Sequence, residues 1–370
     1  MLSAAPDVVP HRGMPPLDDA PPLSRFEFWP AWRFYAPVWI WAALLSVRHL
    51  GARLPLLANP GLPAGGLVGE VKSEVLDLVG ADQREWIAPY VSLLRLGGPA
   101  PAQAAAALAR ARAHGLDLPL VAKPELGCRG AGVRPIRTEG ELVDYVSRFP
   151  FGERYLLQAM VDVQGEAGVF YQREPGEARG RVVSLTLKYF PHVTGDGVST
   201  LEELIHADAR AGRVSHLYLD RHRDRLAEVL PAGAAFRLAF AGSHSRGAIF
   251  RDGTALVTPA MEERFDAIAR SIPEFWFGRF DVRFADVEAL RRGEGFRIVE
   301  LNGAGAESTH IWDSRTRLRD AYATLFRQYA ALWRIGAENR RRGFRPEGWR
   351  AFLARRRRER EATARYPATA

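Results

Sequence analysis

Apolar positions recur along this chain in two rhythms, alternation for strands and three-to-four spacing for helices. Leu118–Lys123 is an apolar run closed by glycines and followed by a short second run, "VRPI", which predicts a β-hairpin with its tip at Gly127–Gly132. The stretches 154–163, 166–174 and 180–190 read as successive antiparallel strands, and "AAFRLAF" with "GAIFRDG" as a further hairpin. "FWFGRFDVRF" (275–284) and "FRIVELNG" (296–303) read as two more strands. Helices are expected at 72–79, at 101–115 with a stop at Gly115, after a Thr138 cap, after "GDGVST" in an [ST]-x-x-E frame, at 259–272, in a short piece near 287, and through the last third. Residues 1–22 are Pro-rich without either rhythm and read as a disordered leader. The most apolar run, "PVWIWAALLSV", has 11 residues. A spanning helix needs about 20, so it is expected as a buried helix, with peripheral membrane contact through Trp29, Trp32, Trp39 and Trp41 as the second reading. The sum is a mixed α+β chain with largely antiparallel sheets.

Composition narrows the classes. The chain has 370 residues, 47% of them hydrophobic and 25% charged, enough for two or three domains with real cores and too apolar for disorder. Much of the net charge of +8 sits in the basic stretch 339–361, an interaction arm or solvated helix face and not a reader of nucleic acid. A single cysteine, Cys128, excludes an intramolecular disulfide framework and fits a reducing cytoplasm. Of 51 Lys and Arg residues, only Lys72, Lys123 and Lys188 are lysines. Where arginine dominates so strongly, a retained lysine points to chemistry that a compact ammonium performs and a planar guanidinium does not, such as insertion between phosphates.

Four clusters carry candidate chemistry. Lys123 precedes Gly127, Gly130 and Gly132, whose backbone would let N–H groups approach an anion, although a plain hairpin turn explains the glycines equally. In "GRFDVRF", Arg279, Asp281 and Arg283 share one strand face, and in "VELNG" Glu300 and Asn302 do likewise. If the two strands are neighbours, Asp281, Glu300 and Asn302 form a hard-oxygen set suited to Mg²⁺, with Mn²⁺ as an alternative; a salt bridge on a solvated face is the other reading. In "QAMVDVQGEAG", Gln158–Val161 offers backbone to a flat base and Glu166 an acceptor for a ribose hydroxyl, or else Met160 is core filler and Glu166 solvated. Lys188 opens "LKYFPHVTGDGVSTLEELI". Ser243–Arg246 and Glu307–His310 are candidates for an acceptor pocket, with His310 as a base or a structural histidine and Arg246 or Arg283 as a carboxylate clamp.

The order of these pieces, from about Leu118 to Asn302, resembles the ATP-grasp superfamily, carboxylate–amine ligases in the neighbourhood of D-alanine–D-alanine ligase; "TGDGVSTLEELI" is closer to the ATP-grasp part of cyanophycin synthetase. The resemblance implies two α+β lobes holding ATP between antiparallel sheets: a small lobe at 116–200, a large lobe at 201–335, a variable N-terminal region at 23–115 and a basic helical tail at 336–370. It implies that Lys123, Lys188 and Gly127, Gly130 and Gly132 bind the phosphates, that Gln158, Ala159, Met160 and Val161 contact adenine, and that Glu166 holds the ribose. It further implies Asp281, Glu300 and Asn302 as metal ligands and Arg279, with Lys188, at the transferring phosphoryl group. The activity implied is ATP- and Mg²⁺-dependent joining of a small-molecule carboxylate to an amine through an acyl phosphate. A phosphotransferase or a non-catalytic nucleotide-binding module stays open, as does self-association. "GAGAESTHIWD" after Asn302 departs from the D-alanine ligase pattern, so the acid and the amine are not implied.

Overall fold

In a computed structural model, which describes residues 11–17, 20, 21, 23–127, 130–240, 242, 247–367 and 369, the strands sort into two main antiparallel sheets. The first has the order β1-β4-β2-β3, from β1 (Tyr90–Leu94), β2 (Leu120–Pro124), β3 (Arg134–Ile136) and β4 (Arg154–Ala159). Helices α3 (Ala100–Ala113) and α4 (Glu139–Arg148) cover it. Thr138 starts α4 by accepting a hydrogen bond from the Glu141 N–H at 3.2 Å, and Leu142, Tyr145 and Val146 then fall on the sheet side.

The second sheet is ordered β11-β10-β5-β6-β9, from β5 (Gly165–Gln172), β6 (Arg181–Tyr189), β9 (Ile249–Asp252), β10 (Phe277–Phe284) and β11 (Phe296–Asn302). One face packs Val169, Leu187, Phe280, Val282, Phe284, Ile298 and Leu301 against α6 (Pro259–Arg270), α2 (Lys72–Asp77) and α7 (Val287–Arg291). The other face looks into the cleft. Between β6 and β9 the chain builds a satellite core from β7 (His192–Thr194), β8 (Ala235–Arg237) and α5 (Leu201–Ala207), whose Thr200–Glu203 capping box matches its sequence frame. α1 (Ala31–Arg48), α8 (Leu318–Arg341) and α9 (Trp349–Thr363) complete the body.

Several expectations change. The strands at 154–163 and 166–174 are not partners: β4 belongs to the first sheet and β5 to the second. The sheets therefore do not follow a division at 116–200 and 201–335, since β1 and α3 join the first sheet while β5 and β6 join the second. "AAFRLAF" and "GAIFRDG" do not form a hairpin; β8 pairs with β7, and β9 with β6. The leader residues 11–17 are held in place, His11 by the Phe190 carbonyl at 3.0 Å and Met14 and Leu17 against the core; residues 1–10 lie outside the described residues. The 37–47 helix is not buried all round. Phe34, Val38 and Leu45 face inward and Trp41 donates to the Phe326 carbonyl at 3.0 Å, but Trp32 and Trp39 face out. The basic tail is not a free arm: Glu359 accepts from the Gly69 N–H at 2.8 Å and Tyr366 stacks on Phe149.

Candidate functional site

Asp281 and Glu300 stand directly opposite each other across β10 and β11, and Arg279 opposes Asn302. A register shift between Asp281 and Val282 leaves Val299 with no opposite residue. Ile298 and Leu301 both lie in the core although they are three residues apart. With strict period-two alternation, Ile298 inward would carry Glu300 inward as well; the extra residue turns Glu300 to the cleft and aims the Val299 carbonyl at Lys123. Gly168 on β5 makes room beside them, since a Cβ there would come within 3.0 Å of the Arg279 side chain.

A line of alternating charge crosses this sheet face. Arg279 grips Asp281 with both arms, Nε to Oδ1 at 2.8 Å and a terminal nitrogen to Oδ2 at 3.0 Å, and donates a third bond to the Glu307 carbonyl at 3.0 Å. Lys188 Nζ lies 3.0 Å from Asp281 Oδ1 and 3.3 Å from Glu166 Oε1. Arg283 holds the other Glu166 oxygen at 3.1 Å and also donates to the Val163 carbonyl. Burial alone would raise the Asp281 pKa, but Arg279 and Lys188 outweigh it and hold the carboxyl well below its usual range.

Lys123 approaches from the first sheet. Its buried ammonium donates to Gln158 Oε1 and to the Val299 carbonyl, both at 2.7 Å. Burial pulls its pKa from 10.5 down to about 8, with Glu300 pulling the other way. Gln158 is fixed in turn by donating to the Ala88 carbonyl at 3.0 Å. Lys123, Lys188, Arg279, Asp281, Glu300 and Asn302 all line one cleft of about 1610 Å³, together with Gln158, Ala159, Met160, Val161, Glu166, Gly127 and Gly130. Gly132 is not among them; it turns toward Pro124 and Tyr366.

Three features were not anticipated. Lys72, to which no role was assigned from sequence, has a side chain only 11% exposed, donates to the Gly127 carbonyl at 3.0 Å and sits 3.7 Å from Glu300. All three lysines of the chain therefore line the cleft. Glu70 accepts from the Gly303 N–H at 2.9 Å, and its pKa is pushed up to about 8, mainly by burial and further by Glu300. Arg237 stacks 3.5 Å over the Phe190 ring and closes the cleft from the satellite core.

Of the acceptor candidates, Glu307 and Thr309 line the cleft. Ser308 does not; its hydroxyl is buried between Ser184 at 2.8 Å and Gln328 at 2.6 Å. His310 also stands outside the lining, next to Thr309, and Arg283 is already engaged by Glu166. Ser243, His244, Ser245, Arg246 and Cys128 lie outside the described residues.

Among the described residues no group of three or more His, Cys, Asp or Glu is placed to hold a metal. Asp281, Glu300 and Asn302 instead combine two carboxylates with an amide. The Asn302 Nδ2 is buried without a partner, and the side chain of Glu300 is one-third exposed to the cleft. A hard-oxygen set of this kind fits Mg²⁺, which takes one or two carboxylates alongside phosphate oxygens and water.

Solved structures that the chain resembles include ligases and synthetases. A D-Ala:D-Ser ligase from Enterococcus faecalis is 12% identical, with 74% of this chain and 64% of that one covered at a TM-score of 0.40. A D-alanine–D-alanine ligase from Bacillus anthracis is 10% identical, with 74% and 73% covered at 0.40. A bifunctional glutathione synthetase from Pasteurella multocida is 14% identical at 0.33, with 72% of this chain covering 38% of that one. No family model matches the chain, and no curated protein matches it in sequence. Overlap this partial carries no residue role across, so the cleft is read from its own geometry.

Proposed function

We propose that the chain is an ATP- and Mg²⁺-dependent ligase of the ATP-grasp type, which activates a carboxylate as an acyl phosphate and joins it to an amine. The reading rests on one observation: Lys72, Lys123, Lys188, Arg279 and Arg283 converge with the carboxylates Glu166, Asp281 and Glu300 in one cleft between two antiparallel sheets. Cations gathered from both sheets suit a polyanion such as a triphosphate, with the carboxylates available to a divalent cation.

In this reading the ammonium groups of Lys123 and Lys188 neutralise phosphate oxygens. The hairpin glycines Gly127 and Gly130 lie over the phosphates, the 158–161 segment takes the base, and Glu166 the ribose. Mg²⁺, held by Asp281, Glu300 and Asn302, would neutralise charge on the transferring phosphoryl group. Arg279, fixed by Asp281 and the Glu307 carbonyl, is preorganised toward that charge. The γ-phosphoryl passes to a carboxylate oxygen and ADP leaves. The amine then attacks the acyl carbon, gives up a proton, and phosphate departs. Little covalent work falls to the side chains, which position the reactants and exclude water.

Incubation with ATP, Mg²⁺, hydroxylamine and a panel of amino and organic acids tests this. The expected products are ADP and an acyl hydroxamate, both dependent on the acid. A stable phosphorylated acid in place of hydroxamate would make the protein a phosphotransferase, and no ADP across the panel would remove the ligase reading.

A further inference from the structure

Among the described residues, none covers the largely apolar outer face of α1. Trp32, Trp39, Ile40, Leu44 and Val47 are between 55% (Trp39) and 74% (Val47) exposed. At 100° per residue they fall within an arc of about 140°. The inward residues Phe34, Val38 and Leu45 occupy the opposite side. There the helix is anchored to α8: Tyr322 donates to the Phe34 carbonyl at 3.0 Å, and Trp333 donates to the Gly51 carbonyl at 3.1 Å. A helix apolar all round is ordinarily buried all round; here half of that surface faces solvent.

We propose that α1 is a surface anchor that lays this face into an anionic lipid bilayer. The chemistry of the face selects that occupant. Residues 31–48 contain no Asp or Glu; of their two charges, Arg33 is exposed beside Trp32 at the start of the stripe and Arg48 follows Val47 at its end. Beyond Arg48, Arg340 donates to the His49 and Leu50 carbonyls, both at 3.0 Å, and Arg334 and Arg341 border the same shallow depression, balanced there only by Glu174 and Glu338. Tryptophans in the stripe and arginines at its rim are the arrangement an interfacial helix uses, apolar side chains below the headgroups and cations among them. Between Arg33 and Arg48 the stripe offers no polar atom beyond an indole N–H to fix a partner's orientation, which suits a fluid surface better than a second protein. Among the described residues no helix is long and apolar enough to cross a membrane, so the helix lies in the interface plane. Phe34 and Tyr35 on the inner side of the same helix line the catalytic cleft, so docking would hold the cleft about one helix diameter, roughly 10 Å, from the headgroups. The proposal does not depend on the ligase reading.

Sedimentation of the full chain with vesicles of phosphatidylcholine alone, or mixed equally with phosphatidylglycerol, tests it. Binding is expected to the mixed vesicles, to weaken in high salt, and to fall about a hundredfold in a Trp39→Ser, Leu44→Ser variant whose melting temperature and far-UV circular dichroism match the parent. Absence of binding to the mixed vesicles, or equal binding by the variant, would overturn the proposal. So would a parent dimer in solution that the variant converts to monomer, since a second copy would then cover the face.

Discussion

Asp281 is the residue on which the site's charges balance. Its carboxylate accepts from Arg279 and Lys188, and both cations are largely shielded from water. Asp281→Asn leaves them without their counter-charge, which costs about 3 kcal/mol or more when a buried pair is broken from one side. Glu300 is more open and faces Lys72 at 3.7 Å, so Glu300→Gln is expected to leave unfolding free energy within about 0.5 kcal/mol of the parent. Turnover should fall about 100- to 1,000-fold in both. Chemical denaturation beside an ADP-release assay separates the two effects, and full activity in Glu300→Gln would exclude it as a metal ligand. Lys123 makes a separate prediction about pH. Its folded-state pKa is about 8 against 10.5. Below pH 8 the ammonium is charged in both states and its burial cost is fully present. Between about 8 and 10.5 the unfolded chain keeps a proton that the folded chain has shed, so stability of the nucleotide-free protein should rise with pH across that window. Lys123→Met should remove that rise relative to the parent, as followed by urea unfolding at several pH values.

At the scale of elements, local pattern named most strands but not their partners. The alternation in "GRFDVRF" and "VELNG" brings Asp281 and Glu300 together as soon as β10 and β11 pair, and they do. The bulge at Val299 that lets Glu300 face the cleft shows in the sequence only as the adjacent apolar pair Ile298–Val299, which "VELN" hides because it alternates regularly by itself. Likewise β4 and β5 read as consecutive partners, yet the few residues between them carry the chain from one sheet to the other. The basic stretch shows the same limit. Composition suggests an interaction arm or a solvated helix face for 339–361, and α9 is largely exposed; beyond it the chain folds back so that the Thr369 hydroxyl donates to the Gly130 carbonyl at 2.8 Å and accepts from the Gly132 N–H at 3.2 Å. Tyr366 packs on Phe149 with rings 5.5 Å apart, and Arg365 pairs with Glu153. These contacts staple the glycine hairpin from outside. Deleting residues 364–370 is expected to speed amide exchange at Gly130–Val133 at least about tenfold while exchange in the β5 and β10 core is unchanged; unchanged exchange at the hairpin would mean that the tail only rests on it.

Across the whole molecule, the cleft exists because two sheets from different stretches of sequence meet at Lys123, whose ammonium crosses from β2 to the Val299 carbonyl of β11. Lysine usage along the chain foreshadowed that junction at Lys123 and Lys188; Lys72 completes it from the segment with the weakest pattern. The outward face of α1 was read only in part: tryptophans flagged it, but "PVWIWAALLSV" is apolar on both sides, and packing against α8 decides that Trp41 turns in while Trp32 and Trp39 stay outside. The central claim is that this junction holds a nucleotide triphosphate with a divalent cation. Titration calorimetry of the full chain with ATP, in the presence of Mg²⁺, tests it most directly, for the parent and for Lys123→Met. One site per chain, weakened at least about tenfold by the substitution and by removal of Mg²⁺, is the expected result. No binding by the parent, or equal affinity in the variant, would contradict it.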